Sequence, residues 1–439
     1  MNDMQDKSPK SIIDLGAMSA GQWLAVLVTV GLNALDGFDV LSISFASPGI
    51  AKDWGLNQAT LGWVLSMELV GMALGSVLLG GVADKIGRRP TILGCLLAMS
   101  VGMFGASHAS GVSTLLVWRL LTGFGIGGML ASINAAAAEL SSQRWRSLAV
   151  SLMVIGYPVG GVVGGTIVQS LLAGGTWHSV FIFGGWATVA FIPIVWLLLP
   201  ESVAFLDRQR KPGALQAINR ILTRFGHESM PQLTPDTAES VRRSVMDILK
   251  PGLIVSTLLI TLGYFAHVVS FYFIIKWVPK LVVDMGFAPK AAAGVLTWAN
   301  VGGAAGVVIF GLIATRVSLK ALTLVTLLGS SAMVIWFGRG SHDLASLSSA
   351  VAIAGVFTNA GIGGYYLLFA RVFPTHVRAT GTGFAIGVGR GGALLAPVIA
   401  GYLLQAGFGL QTVATVMAMG SLSSAAALLA LKVRSTDRG

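Results

Sequence analysis

Long apolar stretches recur along the chain, near 22–47, 57–81, 90–108, 112–136, 147–171 and 177–199, and again near 251–275, 289–313, 319–338, 346–370, 378–404 and 408–431. Each is long enough for the ~20 residues that a helix needs to cross a bilayer. Short connections separate them, apart from one polar segment, 200–250, midway along the chain. The pattern predicts an all-α membrane protein with twelve transmembrane helices in two six-helix bundles. Residues 1–200 form the first, 201–250 a connecting loop, and 251–439 the second.

Composition agrees. Of the 439 residues 54% are hydrophobic and 11% charged, where a soluble domain carries roughly 25% charged residues. That excludes a soluble enzyme. The single cysteine, Cys95, lies in an apolar run and excludes an internal disulfide framework. The first 20 residues are polar and mixed in charge, without the apolar core and cleavage site of a signal peptide. The first apolar stretch is therefore expected to remain as a membrane helix.

A net charge of +11 would suit a nucleic-acid partner, but the distribution of charge argues otherwise. Most Lys and Arg fall in the termini and alternate connections: Lys85, Arg88 and Arg89, then Arg144 and Arg146, then Arg208, Arg210, Lys211, Arg220, Arg224, Arg242, Arg243 and Lys250. The opposite connections hold few, among them Lys52, Lys280, Lys290 and Arg339. The positive-inside rule then puts both termini and the central loop in the cytoplasm. Inner-membrane lipid is the expected surrounding, and no nucleic acid is expected.

The halves echo one another. Gly80-Gly-Val-Ala-Asp84-Lys-Ile-Gly87-Arg88-Arg89 in the first matches Gly311-Leu-Ile-Ala-Thr-Arg-Val-Ser-Leu-Lys320 in the second. Gly123-Phe-Gly-Ile-Gly-Gly128 matches Asn359-Ala-Gly-Ile-Gly-Gly364. Such a repeat implies a pseudo-two-fold axis along the membrane normal and a central site between the halves.

Residues 80–89 resemble the signature loop of the major facilitator superfamily, Gly-x-x-x-Asp-Arg/Lys-x-Gly-Arg-Arg. Arg119-x-x-x-Gly123-x-Gly125-x-Gly127 is similar to the superfamily's fourth-helix motif, and Pro200-Glu201-Ser202 to a motif of its organic-solute carriers. The resemblance implies a gating loop made of Gly80, Asp84, Gly87, Arg88 and Arg89. Glu139, at the end of span four, and Arg378, at the start of span eleven, complete the expected set. Asp84 is expected to accept bonds from a neighbouring helix N-terminus, favoured by the dipole. Gly80 and Gly87 are expected to allow close backbone approach, and Arg88 and Arg89 to lie at the lipid surface.

Ionisable groups inside spans are costly and are functional candidates by default. Five stand out: Asp36, Asp39, Glu68, Arg119 and Arg390. Asp36 and Asp39 share a helix face with Asn33. Burial and mutual repulsion are expected to raise the pKa of at least one of two neighbouring carboxyls, the requirement for a proton carrier; the competing reading is that one Asp caps a helix or pairs permanently with a basic residue. Glu68 is a third titrating candidate, or else a substrate determinant or a buried acid hydrogen-bonded to a neighbouring helix. Arg390 and Arg119 are the natural anion binders, because a guanidinium stays charged and meets a carboxylate bidentately. Arg390 stands in Gly387-Val-Gly-Arg-Gly-Gly-Ala393, where glycines are expected to leave room around it. A salt bridge from Arg390 to one of the acids is the competing reading. Asn33 and Tyr157 are the remaining substrate candidates. Tyr264, His267, Trp298, Asn300, Tyr365 and Tyr366 are weaker ones, and His267 is better read as a satisfied buried histidine.

Asp36-Gly-Phe-Asp39 resembles the hallmark of the aromatic acid:proton symporter family, supported by Ala149-Val-Ser-Leu-Met153. The resemblance implies proton-coupled uptake of an aromatic or related carboxylate by a monomer, driven by the proton gradient without cofactor or metal. Two rivals remain: a proton-coupled efflux antiporter, and a dual transporter and chemosensor.

Overall fold

The computed structural model describes residues 8–233, 248, 250, 252–341, 343–374 and 377–431; Arg242 and Arg243 lie outside them. The elements are α1 (Pro9–Leu15), α2 (Ala20–Asp53), α3 (Gln58–Ile86), α4 (Arg88–Ser107), α5 (Val112–Glu139), α6 (Arg146–Gly174), α7 (His178–Leu198), α8 (Val203–Gln209), α9 (Ala214–Arg224), α10 (Ile254–Asp284), α11 (Pro289–Ala314), α12 (Leu319–Gly338), α13 (Leu344–Val372), α14 (Arg378–Gln405) and α15 (Leu410–Ala430). Twelve of these, among the described residues, are long and apolar enough to cross a membrane. They are the twelve expected, but several overrun the apolar stretch that announces them. α10 continues to Asp284 rather than ending near 275.

Local chemistry sets the boundaries. Ser8 accepts a bond from the Ser11 amide to start α1, with Pro9 in the first turn. Asp343 accepts from Ala345 and Ser346 to start α13. Between α3 and α4 the chain turns at Gly87, with φ 111° and ψ 161°, a region essentially closed to other residues.

The helices form two compact units. The first comprises Met1–Val40, Val70–Gly160 and Phe181–Ser240; the second comprises Leu41–Leu69, Gly161–Val180 and Val241–Gly439. Helices α2, α3 and α6 each contribute to both.

In the first unit, glycines let helix backbones meet. Gly125 and Gly127 of α5 abut the backbones of α4 at Cys95 and of α3 at Met72, and Gly160 of α6 abuts α2 at Ala34. Buried Cys95 packs against Gly128. The glycine runs are packing surfaces, as close approach through small residues requires. The connecting loop is docked on this unit. α9 buries Ile218, Ile221 and Leu222, Gln209 of α8 donates to the Lys85 carbonyl, and the His227 ring meets Gln22 at 3.3 Å. Burial pushes the His227 imidazole below its ordinary pKa.

In the second unit, α11 and α13 touch backbone to backbone at Gly302, Gly306 and Gly355. The segments 41–69 and 161–180 pack here against α11 and α14. Ser66 donates to the Leu394 carbonyl at 2.8 Å, Gln169 to Thr297 at 3.3 Å, and a Cβ at Gly62 would strike the Pro397 carbonyl.

Candidate substrate, coupling and gating sites

Asp36 and Asp39 stand on α2 in the first unit, both almost wholly buried. Between them Gly37 lies against the Tyr157 backbone of α6, so closely that a Cβ would collide with it. Asn33, one turn earlier, donates to the carbonyls of Met153 at 2.7 Å and Val154 at 3.3 Å. Asn33 therefore joins α2 to α6, and the half-buried Tyr157 belongs to the same seam. Arg119 of α5 is fully buried. Its guanidinium donates to the Asp39 carbonyl at 3.1 Å and to the Met103 sulfur at 3.3 Å, and lies 5.4 Å from the Phe181 ring centroid. The structure thus brings Asn33, Asp36, Asp39, Arg119 and Tyr157 together in one unit.

Glu68 and Arg390 fall in the other. Glu68 of α3 pairs with Lys276 of α10 at 3.4 Å, with both side chains fully buried. This lysine is a charge that sequence reasoning missed. A span drawn to end near 275 excludes it, although the apolar continuation Trp277-Val-Pro and Leu281-Val-Val signals a longer helix. The half-buried Arg390 lies within electrostatic range of the Tyr264 and Tyr272 hydroxyls, and the Tyr264 ring centroid is 6.1 Å from that of Tyr366. Of the glycines around Arg390, Gly387 has open space beside it, but the three nearest do not leave room. Gly389 faces the Tyr264 ring, while Gly391 and Gly392 face Phe265, so they bring α14 close to α10.

Among the weaker candidates, His267 is satisfied, with ring nitrogens 2.9 Å from Ser421 and from the Thr358 carbonyl. Asn300 donates to Leu296 within its own helix. Tyr365 is buried against Ser424. Trp298 is 53% exposed and lies on an outer face.

The loop at 80–89 forms an ionic knot, arranged differently from expectation. Arg88 donates to Asp84 at 2.7 Å and reaches Glu139 of α5 at 3.5 Å; it bridges three helices rather than simply facing lipid. Arg89 donates to the Trp196 carbonyl and lies 5.1 Å from that residue's ring centroid. The N-terminus of α4 is capped by Glu201, not by Asp84. Its carboxylate accepts from the amides of Arg88 at 2.9 Å, Arg89 at 3.2 Å and Ser202 at 2.8 Å. Burial pushes the Glu201 pKa up, against the pull of these amides. Gly87 packs against Glu201 and Phe205, but no described residue would come within 4 Å of a Cβ at Gly80, so close approach explains only Gly87. Arg378, exposed at the start of α14, donates to the Phe373 carbonyl at 3.3 Å.

Twelve spanning helices that bury acids and bases within them are the build of a solute carrier. The profile of the Major Facilitator Superfamily matches residues 29–340, and the chain belongs to that superfamily. It is 30% identical over 423 residues to the gallate transporter of Pseudomonas putida, covering 96% of this chain and 94% of that one. It is 29% identical over 425 residues to the 4-hydroxybenzoate transporter PcaK of the same organism, covering 95% of each. Its fold matches the inward open conformation of the xylose transporter XylE from E. coli, with a TM-score of 0.71, 17% identity and coverage of 95% of this chain and 97% of that one. The protein is a multi-pass transporter of the bacterial inner membrane and not an enzyme.

Proposed function

We propose that the protein imports an aromatic or related organic carboxylate with protons, by alternating access. The observation that carries this reading is similarity over nearly the whole chain to carriers named for gallate and 4-hydroxybenzoate. The sites fit it. Arg390, among the tyrosines of α10 and α13, meets the carboxylate with a fork of donors, and the rings offer a surface for an aromatic body. In the first unit, Arg119, Asn33 and Tyr157, gathered along the α2–α6 seam, are further substrate-binding residues. Asp36 and Asp39 carry the proton, since two neighbouring buried carboxyls resist joint ionisation. The knot of Asp84, Arg88 and Glu139, held by Gly87 and Glu201, gates the cytoplasmic side, and Gly80, Arg89 and Arg378 are further gating residues. Both termini face the cytoplasm, and a monomer suffices. Uptake fits better than efflux because span five reads Gly156-Tyr-Pro-Val-Gly-Gly161, one spacer short of the antiporter signature Gly-Pro-x-x-Gly-Gly.

The test uses proteoliposomes and the variants Asp36→Asn and Asp39→Asn, each a permanent mimic of the protonated acid. Wild-type protein should concentrate labelled 4-hydroxybenzoate under an imposed pH gradient. At least one variant should lose uphill uptake and retain exchange of labelled for unlabelled solute, which needs no net proton movement. Normal gradient-driven uptake by both variants would reject these acids as the carriers.

A further inference from the structure

Three guanidiniums gather where the spanning helix α7 ends. Arg89 of α4 donates to the Trp196 carbonyl, and Arg224 of α9 donates to the carbonyls of Leu197 and Leu198 at 3.2 and 3.3 Å. Both meet the carbonyl end of α7, where the helix dipole favours cations. Arg220 lies one turn before Arg224 on α9 and is exposed. With Trp196 and Glu201 the three arginines line a cavity of about 240 Å³. Its other walls are apolar, Leu199, Leu206 and Ile221 among them. All of these residues belong to the first unit. The charges in the cavity do not cancel. Among the described residues, none of the three arginines pairs with a carboxylate. The one acid, Glu201, turns its oxygens to the amides of Arg88, Arg89 and Ser202 at 2.9, 3.2 and 2.8 Å. Beside the cavity, in the last turn of the span, Trp196 and Leu197 are 62% and 66% exposed. Apolar side chains exposed on a span face acyl chains, and a tryptophan near its end sits at the level of the headgroups.

We propose that this cavity binds the phosphate of an anionic glycerophospholipid, whose acyl chains lie along Trp196 and Leu197. A guanidinium carries five N–H donors, so Arg89 and Arg224 keep donors to spare after meeting the α7 carbonyls. Its planar fork also suits phosphate oxygens. The lipid phosphate relieves the repulsion among three cations that have no acid of their own. Basic pockets beside membrane helices hold headgroups for the same reason. A free phosphate offers the arginines the same charge but gives the exposed apolar flank nothing to cover it, so the occupant is a lipid. Bound there, the lipid fastens α9, part of the connection between the halves, to the end of α7.

The test uses full-length protein in detergent and native mass spectrometry, with dioleoyl phosphatidylglycerol and the zwitterionic dioleoyl phosphatidylcholine as probes. Wild-type protein should retain phosphatidylglycerol the more tightly. Arg220→Gln should lower that affinity by about fivefold, the scale of one basic residue beside an anionic lipid surface, and leave phosphatidylcholine unaffected. Arg220→Glu reverses the charge and should lower it further. Arg220 is exposed and in no ion pair among the described residues, so both variants should fold, with thermal midpoints in lipid-free detergent near that of the wild type. Arg316→Gln removes an equal charge from an exposed connection in the second unit and should change neither lipid. Wild-type affinity for phosphatidylglycerol in Arg220→Gln overturns the site. An equal loss in Arg316→Gln overturns it too, since general surface charge would then account for the effect. Glycerol 3-phosphate supplies a phosphate without chains and should raise the thermal midpoint less than phosphatidylglycerol does at equal concentration. A rise as large as the lipid's would assign the cavity to a soluble phosphate and overturn the lipid as its occupant.

Discussion

Arg390 is wedged on α14 between glycines that bring it toward the tyrosines of α10, and its planar fork is what a carboxylate would meet there. Arg390→Ala should weaken carboxylate binding by about 2 kcal/mol or more, as expected when one partner of a desolvated charge pair is truncated. Arg390→Lys should recover little, since a point charge does not replace the fork. Calorimetry on the purified variants measures both, and wild-type affinity in the alanine variant would assign Arg390 to structure alone. The charges in this region were unequally legible. Asp36, Asp39, Glu68, Arg119 and Arg390 each interrupt an apolar run and so announce themselves. Lys276 was hidden because a hydropathy window ended at its doorstep. The cap formed by Glu201 was hidden for another reason: its acceptors lie 113 and 112 residues from the amides they serve, and no local pattern records so distant a partner.

At the scale of elements, the turn between α3 and α4 separates two glycines that the signature loop treats alike. Gly87 adopts φ 111° and packs against Glu201 and Phe205, whereas Gly80 lies mid-helix with open space beside it. Gly87→Ala should lower stability by about 1–3 kcal/mol through backbone strain and disturb the bonds from Glu201 to α4. Gly80→Ala should be neutral or slightly stabilising, within about 1 kcal/mol, because alanine favours a helix. Thermal midpoints in detergent compare the two, and equal losses would mean that the turn geometry is not what requires Gly87. The existence of each span could be read from apolar length alone. Its ends could not, because a helix such as α10 carries on wherever burial and pairing compensate for polar residues past the apolar core.

For the whole molecule, orientation can be measured with the help of the lone cysteine. Cys95 is buried, so a new thiol at exposed Ser229 can be added to the natural chain without removing it first. With the basic connections in the cytoplasm, Ser229→Cys should resist an impermeant maleimide in intact cells and react once the membrane is permeabilised. Rapid labelling from outside would invert the assignment. The twelve spans were legible because a bilayer imposes one length and one polarity on every crossing segment. The sharing of α2, α3 and α6 between two compact units was not, since a helix that changes neighbours midway keeps the same apolar pattern along its length.

The docked connection between the halves decides where this carrier can be cut. α8, α9 and His227 are fastened to the first half by the Lys85 carbonyl, by Gln22, and by Arg224 donating to the Leu197 and Leu198 carbonyls at 3.2 and 3.3 Å. The linker is thus less a tether than an appendage of the segment before it. A gene severed between the codons for Leu233 and Thr234 would hand the whole appendage to the leading fragment. The trailing fragment would lack segments 41–69 and 161–180, which pack against α14 and α11, so the two polypeptides would have to meet again before the second unit is complete.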